Sequence, residues 1–220
     1  MVDEMEIAAR EFGVKEFDFF DSSFTIDKKR VIAICDEIVR RGLKVYWAAR
    51  SRVDCVNEEM LAAMRKGGCM RIYYGIEAGN EEILRRLKKH VDIETIRRVV
   101  KATKKSGIDT FGYFMIGNPG ETERTVEETI ALSLQLDLDY AQYSKVTPMP
   151  ATELYEMVKK ETGRDFWREF ILDETKECYI PRPGTRLAEE EIQRLTQKAY
   201  LRFYWRPSYA LRALRKVRSF

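Results

Sequence analysis

No stretch of this 220-residue chain strings together the roughly 20 apolar residues of a membrane-spanning helix. The opening Met1-Val-Asp-Glu-Met-Glu6 is too acidic for a secretion signal. Together these absences describe a cytoplasmic globular protein. Cysteine is scarce: Cys35, Cys55, Cys69 and Cys178 contain no Cys-x2-Cys pair, which argues against a locally encoded zinc or iron-sulfur motif. All four read as buried free thiols. The only histidine, His90, sits beside Lys88 and Lys89 and reads as a surface residue rather than a ligand. An excess of one charge is missing too, since 39 basic residues face 36 acidic ones, and a net +3 implies no nucleic-acid partner by itself. What is present is 45% hydrophobic residues, enough to bury the core of one large or two small domains.

The chain is organised around Gly112-Tyr-Phe-Met-Ile-Gly117-Asn-Pro-Gly-Glu121-Thr122. Its apolar run from Phe111 to Ile116 predicts a buried strand, broken at once by Gly117, Pro119 and Gly120. Beyond the break, Val126, Ile130 and Leu134 recur every four residues, Thr122 is the candidate N-cap, and Glu121, Glu123, Glu127 and Glu128 crowd the positive end of the helix. A glycine loop after a parallel strand is either a plain turn or a place where the backbone approaches a ligand.

The same unit repeats along the chain. Residues 2–12 predict a helix and Glu16 to Asp21 a strand ending on an acid. Asp27 caps a helix with Val31, Ile34, Cys35, Ile38 and Val39 on one face, closed by Gly42. A strand from Lys44 to Arg50 leads to a helix from Asn57 carrying Met60, Leu61 and Met64. A third strand, Arg71 to Glu77, precedes a short helix around Ile83, Leu84 and Leu87 and a longer one from Asp92 with Ile93, Ile96, Val99 and Val100 inward. The central run supplies the fourth strand and Asp139 to Val146 the fifth, stopped by the prolines of Thr147-Pro-Met-Pro-Ala-Thr152.

Strands separated by helices pair in parallel, so the expected class is α/β: a curved, partial TIM-type (β/α) barrel whose first strand is missing, with a helical C-terminal extension. Residues 1–162 form the barrel part and 163–220 the extension. Ligand chemistry then belongs at the carboxyl edge, with Asp21, Arg50, Glu77, the Gly117 to Glu121 loop and Thr147. In the extension, 163–187 predicts a short helix and coil, and Ile192, Leu195, Ala199 and Phe203 mark a further helix. The basic end from Arg202 to Arg218 reads as either a nucleic-acid arm or, preferably, an amphipathic helix burying Leu211, Leu214 and Val217.

Several runs together carry a resemblance. Phe19-Phe-Asp-Ser-Ser-Phe24-Thr, Trp47 to Arg50, Gly75-Ile-Glu77-Ala-Gly79-Asn-Glu-Glu-Ile-Leu, Lys89, Phe114-Met-Ile-Gly117-Asn-Pro-Gly-Glu-Thr122 and Thr147-Pro-Met-Pro, in this order, resemble the radical S-adenosylmethionine superfamily over nearly the whole chain. Phe203-Tyr-Trp-Arg-Pro207 is similar to the tail of its cobalamin-dependent branch, the one that includes the anaerobic magnesium-protoporphyrin ester cyclase.

The resemblance implies a six-stranded partial barrel with a four-iron four-sulfur cluster on a Cys-x3-Cys-x2-Cys loop after its first strand. That motif is absent here, and the helix at 2–12 matches the one that follows the loop. In a complete member the cluster reduces S-adenosylmethionine to a 5'-deoxyadenosyl radical; this chain is expected to be inactive without its cluster strand. Carried over by position, Glu77 meets the ribose hydroxyls, Lys89 the methionyl carboxylate, and Met115, Ile116, Gly117, Val146 and Thr147 border the adenine. Arg50 orients the methionyl part or a polar substrate, and Asp21 faces the substrate. Read from the residues alone, Glu77 could instead pair with Arg50 or cap the next helix, Lys89 could be solvated, and Asp21 could cap its own loop. Cobalamin would come from a domain outside the chain.

Two other readings stay open. One is a tRNA-modifying methylthiotransferase of the same fold, the other a noncatalytic scaffold. The expected partners are an unidentified small molecule and, through the open sheet edge left by the missing strand, a second copy of the chain.

Overall fold

The computed structural model describes residues 1–173, 175 and 180–217, apart from the side chains of 212, 213 and 215–217. Five strands, β1 (Glu16–Phe19), β2 (Tyr46–Ser51), β3 (Cys69–Glu77), β4 (Asp109–Ile116) and β5 (Tyr140–Lys145), lie side by side in chain order, every pair parallel. A parallel neighbour can be reached only by returning the chain to the starting end, and helices do this. Before β1 comes α1 (Val2–Phe12); α2 (Lys28–Arg40), α3 (Glu58–Lys66), the pair α4 (Glu81–Arg86) and α5 (Ile93–Lys105), and α6 (Glu123–Gln135) then fill the four crossovers. After β5 follow α7 (Glu153–Thr162), α8 (Phe166–Leu172), α9 (Glu189–Tyr204) and α10 (Pro207–Val217). The fold is therefore α/β with a helical C-terminus, and all five carboxyl ends share one edge.

Local chemistry sets the helix starts. The side chains of Asp27, Asn57, Asp92 and Thr122 accept hydrogen bonds from the amides of Arg30, Met60, Thr95 and Thr125, as the sequence predicts. Thr152 caps α7 in the same way. That helix is an addition to the sequence-derived elements. It buries Tyr155 and Val158 with Ile180 in a small second cluster.

One face of the sheet carries the main core. Ile72, Tyr74 and Ile76 of β3, and Thr110, Phe114 and Ile116 of β4, are at most 1% exposed. Their alternates Tyr73, Phe111, Tyr113 and Met115 are only half-buried. The run from Phe111 to Ile116 is thus not buried throughout, because a strand turns successive side chains to opposite faces and the helices cover one of them. Other expectations also shift. β1 stops at Phe19, two residues before Asp21. Val39 is exposed, as it falls off the α2 stripe.

The thiols and the basic tail also depart in part from expectation. Cys35 and Cys69 are buried, but Cys55 is half-buried, in a turn rather than on a helix stripe; Cys178 lies outside the described residues. Leu211 and Leu214 are exposed rather than buried; among the described side chains of α10 the core is reached through Tyr209 near its start, and the side chain of Val217 lies outside the described residues. Among the described residues no helix is long and apolar enough to cross a membrane.

The two sheet edges differ. Beside β5, α9 buries Ile192, Leu195, Ala199 and Phe203 and turns two phenols onto the strand's backbone. Tyr204 Oη donates to Ala141 O at 2.6 Å and accepts from Ala141 N at 3.1 Å, and Tyr200 Oη accepts from Tyr143 N at 3.1 Å. This satisfies backbone groups that an edge strand otherwise leaves unpaired. The outer edge of β1 has no strand beside it among the described residues.

Replacing Tyr204 by Phe keeps the ring and removes both bonds to Ala141. The expected cost is about 1–3 kcal/mol, read as a lower urea midpoint at unchanged slope. An unmoved midpoint would mean that water serves this edge as well as the phenol does.

Candidate functional site at the carboxyl edge

The site is built first by an irregularity in β3. Its register with β4 slips between Gly75 and Glu77, so that Glu77 rather than Ile76 aligns with Phe114. Glu77 has φ 72°, a left-handed conformation that costs a non-glycine residue roughly 1–3 kcal/mol and persists only where its surroundings hold it. The bulge turns the carboxylate back over the strand. A Cβ at Gly75 would come within 2.7 Å of Glu77 Oε1, so glycine is the residue that leaves the carboxylate its place. Lys89, arriving after α4, sets its Nζ 3.1 Å from the same oxygen. With 15% and 26% of their side chains exposed, the pair is partly desolvated, which makes it stronger than a surface ion pair.

The second component is the glycine loop. Gly117 takes φ 97°, open to glycine and unfavourable for other residues. Its amide and that of Asn118 both donate to Glu121 Oε2, at 2.6 and 2.8 Å. Glu121 is fully buried, and burial pushes its carboxyl above the ordinary 4.5, while the Asn118 and Gly117 amides pull it down less strongly. Among the described residues, Glu121 Oε1 and Asn118 Oδ1 are buried with no hydrogen-bond partner.

Strand-end backbone is largely taken by the protein itself. Met115 O accepts from Asn118 Nδ2 at 2.9 Å, and Ile116 O from the Val146 amide at 2.9 Å. Val146 O accepts from Arg182 Nε at 2.5 Å. Arg182, 11% exposed, also pairs with Glu189 and lays its Cδ 3.0 Å from where a Gly117 Cβ would stand. Two further bonds tie its segment to the loop: the Gly120 amide donates to Gly184 O at 2.7 Å and the Arg186 amide to Glu121 O at 3.3 Å. The backbone of Met115, Ile116, Gly117 and Val146 therefore has these groups engaged, and at that end of the edge Met115 offers a half-buried side chain and Thr147 an exposed one.

Arg50 donates to Asp18 at 2.9 and 3.3 Å and to Phe19 O at 3.1 Å, so its partner is Asp18 and not Glu77. Asp21 pairs with Arg30 at 3.6 Å. His90 is exposed and lines a groove with Asp54, Asp92 and Arg98, apart from the Glu77 pair. A larger groove of about 510 Å³, lined by Arg97, Lys101, Lys104 and Leu136, lies at the amino ends of the strands and takes no part in the edge. Arg182 and the left-handed Glu77 were not legible in the sequence. The only trace of the second was Gly75 two residues earlier.

Among the described residues no group of three or more His, Cys, Asp or Glu side chains is placed to hold a metal ion. Burial, then Asp36, pushes the Cys35 thiol up to about 12, and burial raises Cys69 as well, so neither favours the thiolate that iron requires. These residues do not fit an iron-sulfur cluster. The Glu77 carboxylate, with one oxygen on Lys89 and the other not bonded to it, does fit a donor pair such as a ribose diol.

Comparison with known proteins bears on the family and the fold. The family model described as the radical SAM superfamily matches residues 1–133. An uncharacterized methyltransferase of Pyrococcus horikoshii is 36% identical over 96% of this chain and 46% of its own length. The anaerobic magnesium-protoporphyrin IX monomethyl ester cyclase of Rubrivivax gelatinosus is 32% identical over 71% of the chain and 28% of its own length. This chain thus spans less than half of either relative. Among solved structures, the radical S-adenosylmethionine methyltransferase TsrM of Kitasatospora setae, with cobalamin and a 4Fe-4S cluster bound, superposes with TM-score 0.66 at 23% identity over 72% of this chain and 33% of that one. Coproporphyrinogen III oxidase of Escherichia coli gives 0.62 at 15% identity over 91% and 43%. The sheet is therefore the partial barrel of these structures.

Glu121 yields a pH test with a definite sign. Because its carboxyl holds a proton more tightly folded than unfolded, its contribution to stability is intact below about 4.5 and is lost as pH rises through the higher folded value. The stability of wild type minus that of Glu121→Gln should fall across that window in urea titrations. A difference that rises instead would mean that the two amide bonds outweigh burial.

Proposed function

Because the chain belongs to the radical S-adenosylmethionine superfamily, we propose that it is the nucleoside-binding core of a cobalamin-dependent member that transfers a methyl group to, or closes a ring on, a small-molecule substrate. The observation that carries the reading is the half-sheltered Glu77 carboxylate, turned over β3 by a bulge and met by Lys89. A strained left-handed glutamate is retained where its carboxylate is needed at a fixed place.

On this reading Glu77 accepts the ribose hydroxyls, and Lys89 exchanges part of its bond to Glu77 for the methionyl carboxylate. The adenine lies against Met115 and the chain near Thr147. Because the Ile116 carbonyl, the Gly117 amide and both backbone groups of Val146 are already bonded, shape more than hydrogen bonding to these groups selects the base there. Arg50 and Asp21, on the β1 and β2 side, face the substrate. Bound S-adenosylmethionine supplies a methyl group or, at a reduced cluster, a carbon radical. The cluster and the cobalamin are held, on this proposal, outside these residues.

Without those partners the nucleoside is held by a few hydrogen bonds worth roughly 1 kcal/mol each against an association cost of several, so the expected Kd is about millimolar. Adenosine and S-adenosylmethionine titrations followed by amide shifts should move residues near Glu77, lose most binding in Glu77→Ala, and be unchanged in His90→Ala. Binding that ignores Glu77 but responds to His90 would overturn the placement, and micromolar binding without iron would overturn the reading.

A further inference from the structure

The half-buried face of the sheet is paved with aromatic rings. Register sets Tyr73 beside Phe111, Phe111 beside Tyr140, and Tyr113 beside Gly75, where no side chain stands on β3. Ring centroids of Tyr73 and Phe111 are 5.0 Å apart, of Phe111 and Tyr113 5.0 Å, of Tyr73 and Tyr113 5.9 Å, and of Phe111 and Tyr140 6.0 Å. The last two pairs are within 17° and 22° of parallel, while Phe111 is tilted by 45° against Tyr73 and 44° against Tyr113, so the rings form a floor of two flat facets, Tyr73 with Tyr113 and Phe111 with Tyr140. Core aromatics of the same strands, Tyr74 and Phe114, are at most 1% exposed under the helices; the floor is not.

Charges at the two ends of the floor have one sign where they stand over rings. Arg50, at the carboxyl end, lies 3.9 Å from the Phe20 centroid and 5.0 Å from Tyr73. At the amino end, Arg71 lies 4.3 Å from Tyr140. Asp18 and Asp109 answer them from the strand margins, Asp109 only at 3.8 Å, and Arg71 Nε is buried with no hydrogen-bond partner among the described residues. Guanidinium groups stack on flat rings and pair with carboxylates, whereas an ammonium placed over the same rings would meet like charge.

We propose that this floor binds a flat, conjugated ring bearing a carboxylate, and that such a compound is the substrate class. The inference rests on the nucleoside reading in one respect: that reading puts the reacting group at the carboxyl edge, directly beyond Tyr73 and Tyr113. Aromatic faces reward a planar partner by stacking beyond what area alone gives, and a saturated molecule of the same outline forfeits that part.

The test uses 2-naphthoate as probe, titrated into the wild-type chain and followed by amide and aromatic-ring shifts. Two controls accompany it: decahydro-2-naphthoate, equal in charge but not flat, and 2-naphthylmethylammonium, flat but opposite in charge. Naphthoate should bind roughly tenfold tighter than either, the size expected of one good ring contact or one charge contact. Its shifts should centre on Tyr73, Phe111 and Tyr113. Tyr113→Leu should lose about tenfold, and Arg50→Gln should shrink the preference for naphthoate over the ammonium. Since the ligand series runs on wild type, it decides even if a variant fails to fold. Equal binding of the decahydro acid, tighter binding of the ammonium, no binding, or shifts centred on exposed apolar residues such as Trp205 would each overturn the proposal. Adenosine binding through Glu77 with no naphthoate binding sinks this inference alone. The reverse pattern sinks the nucleoside reading and leaves the aromatic floor.

Discussion

The two hydrogen bonds that the amides of Gly117 and Asn118 donate to Glu121 are the contact on which the carboxyl edge depends. A strand ending in a glycine loop exposes amides that must find acceptors, and here one buried carboxylate takes two of them. That placement ties the end of β4 at Ile116 to the start of α6 at Glu123. Through the carbonyl of Glu121 and the amide of Gly120 it also fixes the segment carrying Arg182, which in turn holds the end of β5. A carboxylate with one oxygen unpartnered in so dry a place is costly, which is why burial, not hydrogen bonding, sets the direction of its proton affinity.

From that fixed edge the two faces of the sheet diverge in purpose. Crossover helices seal one face into the core, and the C-terminal helix α9 seals the β5 margin with phenol-to-backbone bonds. The other face keeps rings and guanidinium groups half-open, with the Glu77 and Lys89 pair at its upper rim. The bulge at the end of β3 separates the two roles: it leaves Ile76 in the core and swings Glu77 over Gly75.

Much of this was legible in residue order because it is local chemistry. Asp27, Asn57, Asp92 and Thr122 announce their helices through cap bonds that span three residues, and Ile192, Leu195, Ala199 and Phe203 announce α9 by spacing alone. The candidate Glu77 and Lys89 came from motif order, and the fold brings them within 3.1 Å. The contributions that stayed hidden are long-range. Arg182 reaches Val146 O across 36 positions, and no periodicity encodes that. Leu211 and Leu214 carry a helical stripe, but among the described residues no neighbour covers it. The apolar run at Phe111 hid an alternation because its outward side is aromatic rather than polar, so the usual contrast between faces was missing.

The claim that a carboxylate-pinned loop organises the edge is tested most directly by native-state amide hydrogen exchange at Gly117 and Asn118. Both amides belong to a loop, where exchange is ordinarily fast, yet each is buried on Glu121 Oε2. The account predicts protection comparable to that of the β4 interior, at Phe114 and Ile116. Exchange at the rate of exposed loop amides, while β4 itself remains protected, would contradict it.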